Sequence, residues 1–123
     1  MDVTQAQIRD SILLSVKKAL GLDPEYDHFD PDIIMFINSA IAILHQLGVG
    51  PQETPLKISG NDETWHDLIG DRYNLNMVQT QIYIRVRLMF DPPTSAHVMS
   101  AYSEILEQLD WRILVAEEDG LIE

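Results

Sequence analysis

Two adjacent prolines interrupt the longest stretch of helical spacing in the chain and limit how its C-terminal half can fold. Apolar residues recur at helical intervals over residues 74–90 and again from Val98 onward. Proline withholds a backbone donor and moves the preceding residue out of the helical region. Asp91, Pro92 and Pro93 therefore predict a stiff corner that folds two long helices against each other. The cap of the second helix is expected at Asp91, Thr94 or Ser95.

The helix before this corner carries two apolar stripes on nearly opposite sides. The first comprises Leu75, Val78, Ile82, Val86 and Met89, and the second comprises Met77, Ile84 and Leu88. Two stripes predict two neighbouring elements. Arg85 and Arg87 lie between the stripes, where we expect them to pair with some of the many carboxylates.

The helix after the corner is expected to bury one line of residues, namely Val98, Tyr102, Ile105, Leu109 and Ile113. Trp111 projects away from that line, on the side of Glu104 and Glu107. Two interpretations of Trp111 stay open. The side chain packs under a loop of its own chain near Trp65, or it is an anchor for another protein, a role that tryptophan often has at interfaces.

The first helix is predicted to begin at a capping box formed by Thr4 and Gln7 and to continue to Gly21. Its apolar face comprises Ile8, Ile12, Leu13, Val16 and Leu20. Leu14 falls on the opposite face, either as an isolated exposed leucine or as a contact for a neighbour.

The second helix is predicted to begin with Asp30 as its cap and Pro31 as its first residue, and to end near Leu47. Gly48 follows, and glycine supplies the left-handed conformation that ends many helices. Apolar side chains occupy about half of the circumference at about 100° per residue. That width favours a central helix with more than one neighbour.

Residues 49–63 are rich in Gly and Pro and predict a long loop, with a short extended piece at residues 56–59. Asp62 or Thr64 then caps a short helix that Gly70 closes. The predicted fold is all-α: a single domain over residues 1–123, built as a compact bundle of four main helices, with the loop and the short helix between helices two and three. Residues 117–123 are expected to form a flexible acidic tail.

The charge of the chain argues against nucleic-acid binding. Eight Lys and Arg oppose 20 Asp and Glu, giving a formal charge of −12, and such a surface repels phosphate backbones. There is no cysteine, no apolar run near the roughly 20 residues of a membrane span, and no signal-peptide pattern at the N-terminus. We expect a soluble protein with no membrane partner.

No residue pattern predicts catalysis. His28 lies among Asp27, Asp30 and Asp32, but this segment lacks the glycine and closing glutamate of a calcium loop. The other histidines, His45, His66 and His97, share no metal-binding spacing. Phosphate loops and serine nucleophile elbows are also absent from the sequence. We therefore expect no enzyme activity, metal, cofactor or small-molecule substrate.

Four segments together resemble the head-tail connector proteins of tailed phages. They are DPDIIMFINSAIAILHQLGVGP, NDETWHDLIGD, IYIRVRLMFDPPTSAHV and LEQLDWRI, and they span residues 29 to 113. The resemblance rests on the order of structural residues: Asp30, Ile33, Ile34 and Asn38, then Gly48 and Gly50, then Trp65, Gly70 and Asp71, then Arg87, Phe90, Asp91, Pro92 and Pro93, and finally Trp111 and Arg112.

The resemblance implies a virion protein, present in the host cytoplasm during assembly and then at the head-tail junction. Such a subunit forms a ring, dodecamer-like when matched to the portal protein, that extends the DNA channel and receives the tail or a stopper protein. DNA passes through without specific binding. In that family, the segments equivalent to residues 49–63 and 114–123 vary and make intersubunit or portal contacts.

Apolar positions that one small domain does not need for its own core agree with such an assembly. The candidates for oligomer or portal contacts are Leu14, Trp65, Met77, Ile84, Arg85, Arg87, Leu88 and Trp111. An acidic regulatory module, such as a DNA mimic or an inhibitor of a basic protein, is the alternative that the charge supports. An enzyme of unknown type is a third, and it would require a pocket with convergent polar groups.

Overall fold

The computed structural model describes residues 3–70 and 75–118 of the 123-residue chain. Its six helices are α1 (Gln5–Asp10), α2 (Ile12–Ala19), α3 (Asp30–Gln46), α4 (Trp65–Ile69), α5 (Leu75–Phe90) and α6 (Ala96–Glu118). The predicted all-α fold is confirmed. Residues 117 and 118, assigned above to a flexible tail, belong to α6. The rest of that tail, the predicted helix start near Asn74, and Asp71 of the family-like pattern lie outside the described residues.

The first predicted helix is two helices, because the chain breaks at Ser11. The predicted capping box of Thr4 and Gln7 opens α1. Ser11 then adopts an extended conformation with φ −76° and ψ 131° and forms an isolated antiparallel bridge with Thr64. Its hydroxyl accepts a hydrogen bond from the Leu14 amide at 3.2 Å, which caps α2. The Ile12 amide donates to the Glu63 carbonyl at 3.1 Å. A long-range backbone pairing therefore divides one apolar pattern into two helices.

This break changes which residues of α2 are buried. Because the turn at Ser11 resets the helical phase, Leu14 does not lie on an exposed face. It is only 1% exposed and lines a small hollow beside Ala6 and Asn61. The expectation that Leu14 faces solvent is therefore wrong. The Lys17 side chain is likewise 1% exposed.

The start of α3 also differs from its prediction. Phe29, not Asp30, occupies the cap position and makes no side-chain cap hydrogen bond, while Pro31 lies in the first turn as expected. Asp30 has a different partner: its Oδ1 lies 2.9 Å from Lys17 Nζ, which also donates to the Pro24 carbonyl at 3.0 Å. The predicted capping role of Asp30 is wrong because a buried ammonium competes for the same carboxylate.

As its broad apolar face predicts, α3 is the central helix. It buries Ile33, Ile37, Ala40, Ile41 and Leu44 and packs most extensively against α5. Phe29, just before α3, meets Phe90 at the end of α5 edge-on, with ring centroids 5.2 Å apart. The two helices therefore run antiparallel.

Residues 49–63 form the long loop that the Gly and Pro pattern predicts, and it is fastened to α3. Gly48, with φ 98°, ends the helix as expected, and Gly50 has φ 90° beside Leu68. The predicted extended piece forms no strand. Instead, the Asn38 side chain accepts from the Ile58 amide at 2.8 Å and donates to the Ile58 carbonyl at 3.1 Å. The short helix α4 follows, capped by Thr64 and closed by Gly70 as predicted.

The proline corner separates α5 from α6 as predicted, since residues 91–95 are not helical. The Ser95 hydroxyl accepts from the Val98 amide at 3.4 Å, which selects Ser95 among the three candidate caps. The predicted buried line of α6 is only partly correct. Ile113 is fully buried, but Val98 and Ile105 are 37% and 40% exposed, and Leu106 is buried in their place. The first part of α6, where Met99 and Tyr102 are half-buried, is less completely covered than the segment from Leu106 to Ile113.

Candidate interaction surface

Three of the predicted interface residues lie in the interior of the chain. Leu14, Ile84 and Trp65 are 1%, 4% and 5% exposed. The Trp65 indole N–H donates to the Ser15 hydroxyl at 3.0 Å, so its polar edge has a partner within the chain. Leu14 and Ile84 offer almost no surface to another protein, and Trp65 contributes only a small part of the wall of a hollow.

Met77 and Leu88, from the second stripe of α5, are half-buried. Met77 packs against the main apolar core. The two stripes of α5 do have two neighbours, because α3 and α6 both pack against this helix. The second stripe is therefore accounted for inside the chain.

Arg85 belongs to a polar cluster that joins α5 to α6. Its guanidinium forms an ion pair with Asp110, and both side chains are partly buried. The amide of Gln81, a fully buried residue, donates to the same carboxylate at 3.1 Å. The predicted pairing of Arg85 with a carboxylate is confirmed, and its partner fixes α6 against α5.

Arg87 acts at the corner. Its Nε donates to the backbone carbonyl of Asp91 at 2.6 Å and lies 3.8 Å from the Asp91 carboxylate. Cations at a helix C-terminus satisfy its last carbonyls. The Tyr83 hydroxyl, which contacts the guanidinium, raises the pKa of Arg87. The Arg87 side chain therefore binds Asp91, the first residue of the corner, to the end of α5.

Trp111 differs from all of these residues because it is 66% exposed. The interpretation that it packs under its own loop near Trp65 is wrong. Glu107 and Glu104 precede it by four and seven residues, so the three side chains share one face of α6. Both glutamates are exposed. We call Trp111, Glu107 and Glu104 the tryptophan face.

A groove lies beside α2, on the side of α5 that faces away from α6. One hollow of about 290 Å³ is lined by Ser15, Val16, Ala19, Trp65, Gln79, Thr80 and Tyr83. A second, of about 440 Å³, is lined by Gln5, Ile8, Arg9, Ser15, Lys18 and Gln79. The two hollows share the lining residues Ser15 and Gln79 and are therefore adjacent. We call them together the α2/α5 groove.

The rim of this groove carries cations, although the chain is strongly acidic. Arg9 and Lys18 are both exposed. Arg9 is paired with Asp10, with 2.9 Å between Nε and Oδ1, and the hydrogen bond lowers the pKa of that carboxyl. No ion pair to Lys18 occurs among the residues that the structure describes.

Sequence reasoning identified Trp111 but missed the groove. A signal for it exists in the phase of α5: at about 100° per residue, Gln79, Thr80 and Tyr83 project opposite Gln81 and Arg85. No local pattern in the sequence predicts that α2 packs beside that side of α5. The groove follows from tertiary structure.

Within residues 3–70 and 75–118, no cluster of three or more His, Cys, Asp or Glu side chains has the arrangement of a metal site. His28, the centre of the metal hypothesis, is exposed and stacks edge-on with Phe29 at 4.9 Å between centroids. No helix in the described part of the chain is long and apolar enough to cross a membrane.

Comparison with known proteins gives one match. A family described as phage connector protein matches residues 12–120. No curated protein and no solved structure matches the chain. The matched range includes every helix except α1. It therefore contains α2 and α5, which give the α2/α5 groove its name, and the tryptophan face.

Proposed function

Because the chain belongs to the phage connector protein family, we propose that it is a structural adaptor that assembles as a ring beneath the portal of a phage or prophage head. The ring extends the DNA channel and receives the tail or a stopper protein. Family membership makes the chain a virion assembly component. The ring, its matching to the portal and its tail-side partner are the proposal.

The observation that carries this proposal is the exposure of Trp111. At 66%, Trp111 is the most exposed of the large apolar side chains that the structure describes, and tryptophan is enriched among the residues that dominate binding energy at protein interfaces. Its neighbours on the helix are charged, so it does not form part of an apolar core that the chain failed to close. Contact with a partner protein is the simplest explanation for the exposure of Trp111.

The negative charge of the chain is a second, independent observation that supports the proposal. A channel for duplex DNA must not hold the DNA, and tight binding to DNA comes from Lys and Arg that displace counterions from phosphates. With a formal charge of −12, the subunit has few such groups. The same charge supports the acidic regulatory module as the alternative function, which would bind a basic protein groove.

Electron microscopy of the purified chain, alone and mixed with its portal protein, tests the proposal. We expect closed rings, either free or stacked coaxially on the portal. A chain that stays monomeric at high concentration and also ignores portal-capped heads would contradict it. Salt-sensitive capture of one basic host protein, with no affinity for portal, would favour the regulatory module, since exposed charges are screened over about 8 Å at physiological ionic strength.

A further inference from the structure

We infer that the tryptophan face of one subunit binds in the α2/α5 groove of a second copy of this chain, in a head-to-tail contact. This inference rests on the proposed function and specifies the surfaces through which the subunits would join. Three observations carry it: the shape and chemistry of the two surfaces, their charges, and their positions on opposite sides of the molecule.

The two surfaces have complementary shapes and chemistry. Trp111 stands out from α6 with most of its ring exposed. The hollow between α2 and α5 has a volume of about 290 Å³ and is lined by the more accessible Ala19, Thr80 and Tyr83, with small exposed parts of Val16 and Trp65. Pockets for small ligands begin at about 300 Å³, and an indole is smaller than most such ligands. Hydroxyl groups in the hollow also provide acceptors for the indole N–H.

The charges favour this pairing over the pairing of two tryptophan faces. Glu107 and Glu104 lie about one and two turns before Trp111 on the same face of α6, and the adjacent Arg112 lines the hollow that Trp111 shares with Glu107. Two such faces would place four carboxylates beside two arginines, so the carboxylates would remain in excess, which is unfavourable. The groove instead presents Arg9 and Lys18 at its rim. Arg9 is already paired with Asp10, whereas Lys18 has no ion pair among the described residues, so Lys18 is the cation available to complement the acidic face.

The two surfaces point in opposite directions. Asp110 on the inner side of α6 contacts Gln81 and Arg85, and Trp111 lies on the outer side. Gln79 and Thr80 of the groove project from the side of α5 away from α6. Each subunit therefore carries a donor face and an acceptor groove at opposite ends of the α6–α5–α2 stack. Contacts of this kind repeat head-to-tail and close into a ring when the rotation between subunits allows it.

Two variants that each disable one surface test the inference. Trp111→Ala removes the donor, and Thr80→Glu places a carboxylate in the acceptor groove at an exposed position. We expect each variant alone to self-associate at least about tenfold more weakly than the wild-type chain in sedimentation velocity, because each lacks one half of the contact. Met35→Ala, which removes another exposed apolar side chain, and Gln46→Glu, which adds a carboxylate elsewhere, are the matched controls.

Mixing the two variants distinguishes the geometries. The Thr80→Glu chain retains its tryptophan face and the Trp111→Ala chain retains its groove, so the mixture should form one-to-one pairs and nothing larger. Two tryptophan faces in contact would instead give no mixed pair. Wild-type assembly in both variants, or the absence of mixed pairs, would overturn the inference.

Cysteine crosslinking captures the contact even when the free chain is mainly monomeric. The chain has no cysteine, so Gln108→Cys beside Trp111 and Thr80→Cys in the groove each introduce a unique thiol. With a short bismaleimide, we expect the mixture of the two to yield the mixed dimer, both with and without portal protein. Crosslinks only between two Gln108→Cys chains would overturn the inference. Portal-bound rings with no mixed crosslink would overturn it while leaving the proposed function intact.

Discussion

The two tryptophans of the chain have opposite environments, and this difference separates folding from assembly. Trp65 is 5% exposed, belongs to the main core and donates to Ser15, whereas Trp111 is 66% exposed. The same substitution at both positions therefore measures two different properties.

We predict that Trp65→Ala lowers the free energy of unfolding by about 3–5 kcal/mol, the usual cost of removing a large aromatic side chain from a core. Trp111→Ala should change it by less than about 0.5 kcal/mol, as is usual for surface positions. Chemical denaturation of the monomer measures both values. A large destabilisation by Trp111→Ala would assign this residue to its own core and remove the main support for an interface there.

Lys17 is a second residue whose burial decides its role. The ammonium is almost inaccessible and contacts only the Asp30 carboxylate and the Pro24 carbonyl among the described residues. It therefore fastens the loop between α2 and α3 to both helices. A buried ion pair adds little net stability, but removing one partner leaves the other charge uncompensated.

We predict that Lys17→Met, which keeps the length and packing of the side chain, lowers the free energy of unfolding by about 3 kcal/mol, toward the lower end for broken buried pairs because Asp30 is partly exposed. The double variant Lys17→Met with Asp30→Asn should recover part of the loss. Thermal and chemical unfolding of the three proteins measure the coupling. Equal stability of wild type and Lys17→Met would show that the pair does not fasten the loop.

At the scale of single residues, the sequence predicts positions that depend on local chemistry and misses those that depend on distant partners. The caps at Thr4 and Thr64 and the left-handed Gly48 are local features and are confirmed. The role of Asp30 is not, because its partner Lys17 belongs to another helix. Arg85 was predicted to pair with a carboxylate, but only the structure identifies Asp110.

Among the elements, the proline corner sets how α6 lies against α5. Residues 91–95 leave the helical conformation, Arg87 holds Asp91, and Ser95 restarts the helix. Neither proline has a backbone N–H to continue the helical ladder.

We predict that replacing Pro92 and Pro93 by alanine loosens this corner and favours helix across it, raising the helical signal in circular dichroism. The unfolded chain also gains entropy, at a cost to stability of roughly 0.4–1 kcal/mol per proline. Ring geometry seen by electron microscopy should change with the angle. Unchanged rings would show that the angle is set elsewhere than at the corner, by contacts between α5 and α6 such as that of Arg85 with Asp110.

The long loop is the other element whose behaviour can be tested. Residues 49–63 contain one deeply buried side chain beside Val49, that of Ile58, and its backbone N–H and carbonyl are both bound by Asn38. This pairing replaces the strand partner that the extended segment lacks.

We predict that Asn38→Ala lowers the free energy of unfolding by about 1–3 kcal/mol, because it leaves backbone groups of Ile58 unpaired. Amide hydrogen exchange at Ile58 should accelerate strongly, and cleavage by proteases should increase within the loop. Ser39→Ala, one residue away and exposed, is the control and should leave both unchanged. Exchange at Ile58 that stays slow in Asn38→Ala would contradict this role.

The sequence predicts which helices exist better than it predicts where they are interrupted and which of their residues are buried. Apolar periodicity predicts α3, α5 and α6, with nearly correct ends for α3 and the correct C-terminal end of α5 at Phe90. It cannot detect the break at Ser11, because the bridge to Thr64 joins residues far apart in the chain. It also predicts an apolar line along all of α6, whereas the fully buried side chains of this helix are confined to the segment from Leu106 to Ile113 among the described residues. Periodicity indicates which face is apolar, not how far another helix extends along it.

For the whole molecule, the distribution of charge is the property with the widest consequences. The 20 Asp and Glu side chains are opposed by only eight Lys and Arg, which leaves a formal charge of −12, and several of these cations are already paired with carboxylates. Little positive surface remains for phosphates.

We predict that the chain does not retard duplex DNA in gel electrophoresis, even at an ionic strength of about 0.01 M, where the Debye length reaches about 30 Å and weak attraction is most visible. A known basic DNA-binding protein provides the positive control. Retardation that disappears with added salt would mean that phosphate contacts exist, and it would contradict a role as a passive channel wall.

The attachment of α6 has a mechanical consequence. At about 1.5 Å per residue, its 23 residues extend about 34 Å, and the bundle holds it through Leu106 and Ile113. Trp111 lies between Leu106 and Ile113, so a force applied to its indole is transmitted to the bundle close to Trp111. The first ten residues of the helix contain no fully buried side chain, so we expect this end of α6 to bend more easily than the segment that carries Trp111.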